Sequence, residues 1–159
     1  MTIRLGEPGC AIAVRDLRRS DLADVIRIDA AHTGAAKPEY WDRVLREFLD
    51  PRRERTAVGL ATDDPIGLSG YLLGEVRAFE FGSPACGWVF AIGVDPARTR
   101  RRIASLLLAE CCRRFARAGI ACVRTMVLRD NVPVLSFFRD CGFVAGSFVQ
   151  LELDLGEDR

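Results

Sequence analysis

The chain has 159 residues, 49% hydrophobic and 28% charged, and 23 Lys+Arg against 22 Asp+Glu leave a net charge of +1. That size and balance predict one globular domain over residues 1–159 with a full core. They exclude a wholesale polyanion binder or an acidic tail, so any basic chemistry must come from local clustering. Cys10, Cys86, Cys111, Cys112, Cys122 and Cys141 include no C-x-x-C pair, and His32 is the only histidine, so no metal site is expected. Several of these cysteines sit in apolar patterns, as reduced thiols do. No apolar signal core opens the chain and no apolar run reaches membrane-span length, so the reading is a cytoplasmic protein with no membrane contact.

In chain order, residues 11–15 alternate as a short strand. Ser20 and Asp21 offer N-caps for a helix carrying Leu22, Val25 and Ile26. A small-residue loop from His32 leads past Lys37, the only lysine, to Pro38 in the first turn of a second helix. Trp41, Val44, Leu45, Phe48 and Leu49 recur there at helical spacing until Pro51. After a charged linker at 52–55, residues 56–61 and 66–76 read as a hairpin around a turn at 62–65. Gly67, Gly70 and Gly74 in its second strand permit a bulge or a close backbone approach. Residues 79–86 form a loop, and 87–94 an almost wholly apolar central strand.

The stretch from Gly87 to Gly119 organises the rest: apolar strand, proline-marked turn, arginine-dense loop, long amphipathic helix. Such a helix start gathers unpaired N–H groups and partial positive charge at one point, a seat for phosphate. Arg98, Arg100, Arg101 and Arg102 surround it with forked donors suited to a nucleotide pyrophosphate. Neutral overall charge and the lack of interleaved aromatics argue against nucleic acid as the partner. The helix presents Ile103, Leu106, Leu107, Cys111 and Phe115 on one face, with Gly119 as its stop. A strand at 120–128, a short helix from Pro133 through Asp140, and an alternating strand at 149–155 complete the chain.

From Ala11 to Leu155 the chain resembles the GNAT superfamily of acyl-CoA-dependent N-acetyltransferases. Val94-Asp-Pro, the arginine loop and Ile103-Ala-Ser-Leu-Leu-Leu match its central motif. Asn131, seven residues before Phe138, with Cys141-Gly-Phe143 behind it, matches its second motif. Pro38-Glu-Tyr-Trp and Glu80-Phe-Gly resemble a prokaryotic branch whose substrate is unassigned. The resemblance implies an α/β fold with a mixed, mostly antiparallel sheet flanked by helices and a V-shaped splay between two central strands. It also implies acetyl-CoA as cosubstrate and an amine, on a small molecule or a protein, as acceptor. Backbone groups of Ile92 and Val94 would hold the pantetheine arm and thioester. Thr99, Arg100, Arg101, Arg102, Ile103 and Ala104 would hold the pyrophosphate, and Asn131 the cofactor arm.

Departures from the family pattern bear on activity. Thr99 stands where the loop usually has Arg or Gln, and Arg102 where it has glycine. Two alternatives stand at Arg102: it crowds the phosphate seat, or its backbone is ordinary and its side chain turns outward or towards the phosphates. Phe138 replaces the tyrosine that serves many members as general acid, and is expected as an apolar wall. Trp88 replaces a glutamate that serves some as base. A proton-transfer group is worth roughly 10²–10⁴-fold, so direct attack by a neutral amine on a positioned thioester survives without one. Glu80 is the candidate substitute base, ahead of Glu75, and His32 is either a pH-7 base or a surface or capping residue. The alternative from a different class is a CoA-binding or protein-interaction module without turnover. An exposed last strand would also suit a homodimer.

Overall fold

The computed structural model describes residues 12–53, 56–78 and 80–156, with the backbone alone at 99–101. Cys10, Ala11, Glu54, Arg55 and Phe79 lie outside the described residues. The described chain divides into two compact units, the first reaching Met126 and the second starting at Val127.

The first unit is built on a five-stranded sheet in sequence order, with strands β1 (Val14–Asp16), β2 (Ala57–Asp64), β3 (Gly67–Arg77), β4 (Cys86–Val94) and β5 (Val123–Arg124). Its neighbours run antiparallel except for the parallel pair β4 and β5. Two helices, α1 (Leu22–Thr33) and α2 (Pro38–Phe48), pack Val25, Ile28, Trp41, Leu45 and Phe48 against Tyr71 and Leu73 of β3. On the opposite face lies α3 (Ile103–Arg117), which buries Ile103, Leu107, Leu108, Cys111 and Phe115. Leu108 is thus buried, while Leu106, expected on the buried face, is only half-buried.

Glycines bring α3 close to the sheet. A Cβ on Gly70 would stand 2.7 Å from Ile103 Cγ2, and one on Gly87 would stand 2.4 Å from the Phe115 ring. No larger residue fits there without displacing the helix.

A bulge divides β4. Gly74 pairs with Val89 but Leu73 pairs with Ala91, so Phe90 is the extra residue. Gly87 and Val89 belong to the α3 face, whereas Ala91 and Gly93, of the same parity, belong to the α1/α2 face. Phe90 meets Phe48 edge to face, with ring centroids 5.4 Å apart.

Several sequence expectations shift. Asp21 does not cap α1; it caps a 3-10 turn at Arg19–Asp21, accepting the Arg18 N–H at 2.7 Å. The expected turn at 62–65 belongs largely to β2, because Ser69 and Thr62 bond through their hydroxyls at 3.0 Å and extend the hairpin to Asp64. The strand expected over 120–128 contracts to Val123–Arg124, because only that part finds a ladder on β4.

In the second unit α4 (Val132–Asp140) starts at Asn131, whose Oδ1 accepts the Val134 N–H at 3.3 Å, and ends at Cys141 before Gly142. Phe138 is buried between Phe137 and Phe143, with centroids 5.0 and 5.1 Å away. Residues 149–155 are not a strand: Val149, Leu151, Leu153 and Leu155 are exposed, and alternation records only a capacity to pair.

Candidate active site

The last half of β4 has an open edge. β3 pairs with β4 from Cys86 to Val94, but β5 pairs with it only at Gly87 and Trp88. Thr125 Oγ1 adds one bond to the Val89 carbonyl at 2.9 Å, and the ladder reaches no further. The splay expected from the sequence therefore opens beside Ile92 and Val94, whose backbone groups face it.

The strand runs into a tight corner. Asp95 N–H donates to the Ser69 carbonyl at 2.9 Å, and its Oδ1 accepts the Ala97 N–H at 3.0 Å. A 3-10 turn, Pro96–Arg101, follows, and Arg102 then starts α3 with φ 54° and ψ 24°. Arg102 therefore keeps the left-handed backbone of a glycine, and its side chain is exposed; the ordinary-backbone alternative does not hold. Among the described residues no side chain caps α3, and the N–H groups of a helix's first turn have no intrahelical acceptor. They can receive an anion.

Of the arginines proposed around this seat, Arg98 is committed elsewhere. It pairs with Asp64 at 3.1 Å and donates to the Gly67 and Leu68 carbonyls at 3.3 and 3.2 Å. This ties the loop to the β2–β3 turn. Arg27 of α1 reinforces the corner by bonding Asp95 at 2.8 Å, and that hydrogen bond, first among the causes, holds the Asp95 carboxyl below the ordinary range. The side chains of Thr99, Arg100 and Arg101 lie outside the described residues.

Other groups meet β4 from the α1/α2 side. His32 Nε2 lies 2.6 Å from the Val94 carbonyl oxygen. A carbonyl oxygen only accepts, so Nε2 carries the proton and Nδ1 is the nitrogen left to act as a base. Tyr71, opposite Gly93 in the ladder, covers it so closely that a Cβ there would stand 2.6 Å from the ring. Trp41 meets Tyr71 edge to face at 5.5 Å and donates its indole N–H to Asp29 Oδ2 at 2.9 Å. Sequence reasoning passed over Asp29, Trp41 and Tyr71 as site residues. The available signal was Asp29 three places before His32 on α1.

Glu80 is exposed at the start of a 3-10 turn, Glu80–Gly82, in the loop that enters β4. Ile92 is six residues along the strand from Cys86, or about 20 Å. Glu75, by contrast, pairs with Trp88 and is tied into ion pairs with Arg53 and Arg77. Arg77 also lies over the Trp88 ring, 4.5 Å from its centroid. Burial pushes the Cys111 thiol up to about 12, which fits a packing role. Among the described residues no group of His, Cys, Asp and Glu could hold a metal ion, and no helix is long and apolar enough to cross a membrane.

Comparisons with known proteins bear on the same architecture. The chain is 29% identical over 102 residues to a mycothiol acetyltransferase of Kocuria rhizophila, a match covering 64% of this chain and 33% of that protein. The chain thus spans about a third of that relative's length. The aminoglycoside N-acetyltransferase AAC(6')-Iy, solved with CoA, shares the fold at a TM-score of 0.78, with 15% identity, 96% of this chain and 100% of that one covered. A ribosomal-protein-alanine N-acetyltransferase from Brucella melitensis does so at 0.71, with 15% identity and coverage of 92% and 100%. A transcriptional regulator from Bacillus halodurans gives 0.76, with 14% identity and coverage of 91% and 100%. The model of the acetyltransferase (GNAT) family matches residues 22–143, and the chain belongs to that family.

Proposed function

We propose that this chain transfers an acetyl group, or a related acyl group, from acetyl-CoA to an amine by direct nucleophilic attack. One observation carries the reading: the open edge of β4 at 90–94 leads, through the Pro96–Arg101 turn, to the start of α3, whose N-cap residue Arg102 keeps a glycine-like backbone. An extended amide chain can pair with such an edge while its pyrophosphate rests on the N–H groups of α3. Family membership and the CoA-bearing structures among the similar folds support the same ligand.

In this reading Ile92 and Val94 align the pantetheine arm and thioester, and residues 99–104 receive the pyrophosphate. The resemblance assigns Asn131 to the cofactor arm and Phe138 to an apolar wall. The acceptor's neutral nitrogen bonds to the acyl carbon, the carbon–sulfur bond breaks, and the thiolate leaves with the proton that the nitrogen sheds. Positioning supplies much of the acceleration, since Phe138 and Trp88 stand where the family often has proton-transfer groups. Glu80 remains the candidate base in the loop before β4. Glu80→Gln tests it: a base loses roughly 10²–10⁴-fold in kcat/KM, a solvated carboxylate almost nothing.

Thermal unfolding with acetyl-CoA, CoA and ATP checks the main reading. At about 100 times its Kd a ligand adds about 2.7 kcal/mol, so both CoA species should raise Tm clearly and ATP little. Thiol release over an amine panel then reads turnover. A Tm shift with no amine-dependent release would favour the module without turnover, and no shift at millimolar acetyl-CoA would remove the transferase reading.

A further inference from the structure

Asp29 is a carboxylate in an aromatic setting beside the strand that the proposed reaction uses. Its side chain is 12% exposed. On α1 it follows Ile28, whose Cγ2 would stand 3.1 Å from a Cβ on Gly93, and precedes by one turn His32, which reaches the Val94 carbonyl. Trp41 and Lys37 both address Asp29 Oδ2, the indole N–H at 2.9 Å and the ammonium at 2.8 Å. Tyr71 is also near: burial raises its hydroxyl pKa first, and the charge of Asp29 and the neighbouring Tyr40 raise it further. The phenol therefore stays protonated and adds no negative charge to the site.

The two partners of Asp29 are held very differently. Trp41 is buried at 3%, edge to face with Tyr71 and with Tyr40, and its indole is fixed by that packing. Lys37 sits at the N-cap of α2, and its side chain is 40% exposed on a flexible four-carbon stem. A carboxylate this enclosed requires a counter-ion. The one present is the only lysine of the chain, and a half-exposed ion pair is easily exchanged.

Resting on the transferase reading, we propose that Asp29, oriented by Trp41, seats the acceptor's ammonium group, and that Lys37 Nζ fills the seat until a primary alkylammonium displaces it. The exposed ring of Tyr40 is a flat apolar wall for the alkyl stem next to the charge, with Trp41 and Tyr71 buried behind it. Tyr71 links the seat to the backbone around Gly93, between the two residues assigned to the thioester arm. The acceptor class that fits is a primary amine on an unbranched alkyl chain, bound as its ammonium and attacking only once that proton has passed to water, in preference to an aromatic amine that is uncharged in solution.

The test uses the Trp41 indole N–H as reporter in the full chain, with Trp88→Phe assigning the two tryptophan resonances. Titration with n-butylammonium chloride should move the Trp41 signal saturably, and n-butanol should not move it. In Lys37→Met the midpoint should fall about 2–5-fold, because an exposed internal competitor is gone. In Asp29→Asn, which keeps an acceptor for the indole, it should rise about tenfold or more. An unmoved Trp41 signal in both the native chain and Lys37→Met overturns the seat, as does an unchanged midpoint in either variant. Acetyl-CoA thermal shifts on the same samples separate the two readings: a retained shift with no amine response sinks the seat alone, and a lost shift with an intact amine response sinks the transferase.

Discussion

The two halves of β4 differ in what their edges and faces are asked to do. Residues 86–89 have β3 on one side and β5 on the other, and Gly87 lies under the Phe115 ring. Residues 90–94 keep β3 but lose β5, and their α1/α2 face receives Tyr71, Ile28 and His32. The same apolar run is thus paired along both edges in its first half and along one in its second. If the proposed cofactor arm takes the free edge, stability and binding are separable along one strand.

Phe115→Ala strikes the first half hardest. The ring is fully buried over Gly87 and Gly74, so its loss should cost about 3–5 kcal/mol in urea unfolding. A loss under about 1 kcal/mol would mean that this end is not the anchor.

A matched pair of glycine changes then sharpens the contrast. Gly87→Ala and Gly93→Ala each push a Cβ into a ring, and each should cost about 1–3 kcal/mol. Only Gly93→Ala should also weaken acetyl-CoA binding, read by calorimetry. Equal affinities in the two variants would erase the distinction between the halves.

Arg102→Gly acts just beyond the open half. A non-glycine residue at φ 54° is strained, so the change should raise stability by up to about 1 kcal/mol despite the entropy of glycine. Acetyl-CoA affinity should hold or improve, and a loss would show that the Arg102 guanidinium itself touches phosphate.

The smallest effect is on α3. Arg113 first and Arg114 second hold the Glu110 carboxyl at about 2, below its ordinary 4.5. Its folded pKa is depressed, so its contribution is present above about 4.5 and is lost as pH falls towards about 2. Glu110→Gln should flatten Tm against pH in that window and change nothing near neutrality.

Much of the architecture was legible because it has local causes. Pro38 and the Trp41, Leu45 and Phe48 stripe gave α2, and Ile103, Leu107, Cys111 and Phe115 gave the face of α3. The bulge at Phe90 was not legible, since a run apolar on both faces carries no alternation from which to read parity. Arg98 looked like a phosphate ligand because its partners, Asp64 and the Gly67 and Leu68 carbonyls, lie some thirty residues away in sequence. Asp29 escaped notice for the same reason: its meaning depends on Trp41 from another helix and on Tyr71 from a strand.

Phe90 also constrains how this strand can change over evolutionary time. It works like a frameshift placed in the middle of a message, since residues on its two sides point to faces by opposite parity. Deleting it would set Val89 and Ala91 in direct succession opposite Gly74 and Leu73, so both halves would keep their faces and only the bend and added twist of the bulge would be lost. A one-residue deletion elsewhere in β4 would reverse the faces of the residues beyond it, so a change of length is confined to the bulge while point substitutions accumulate on either side.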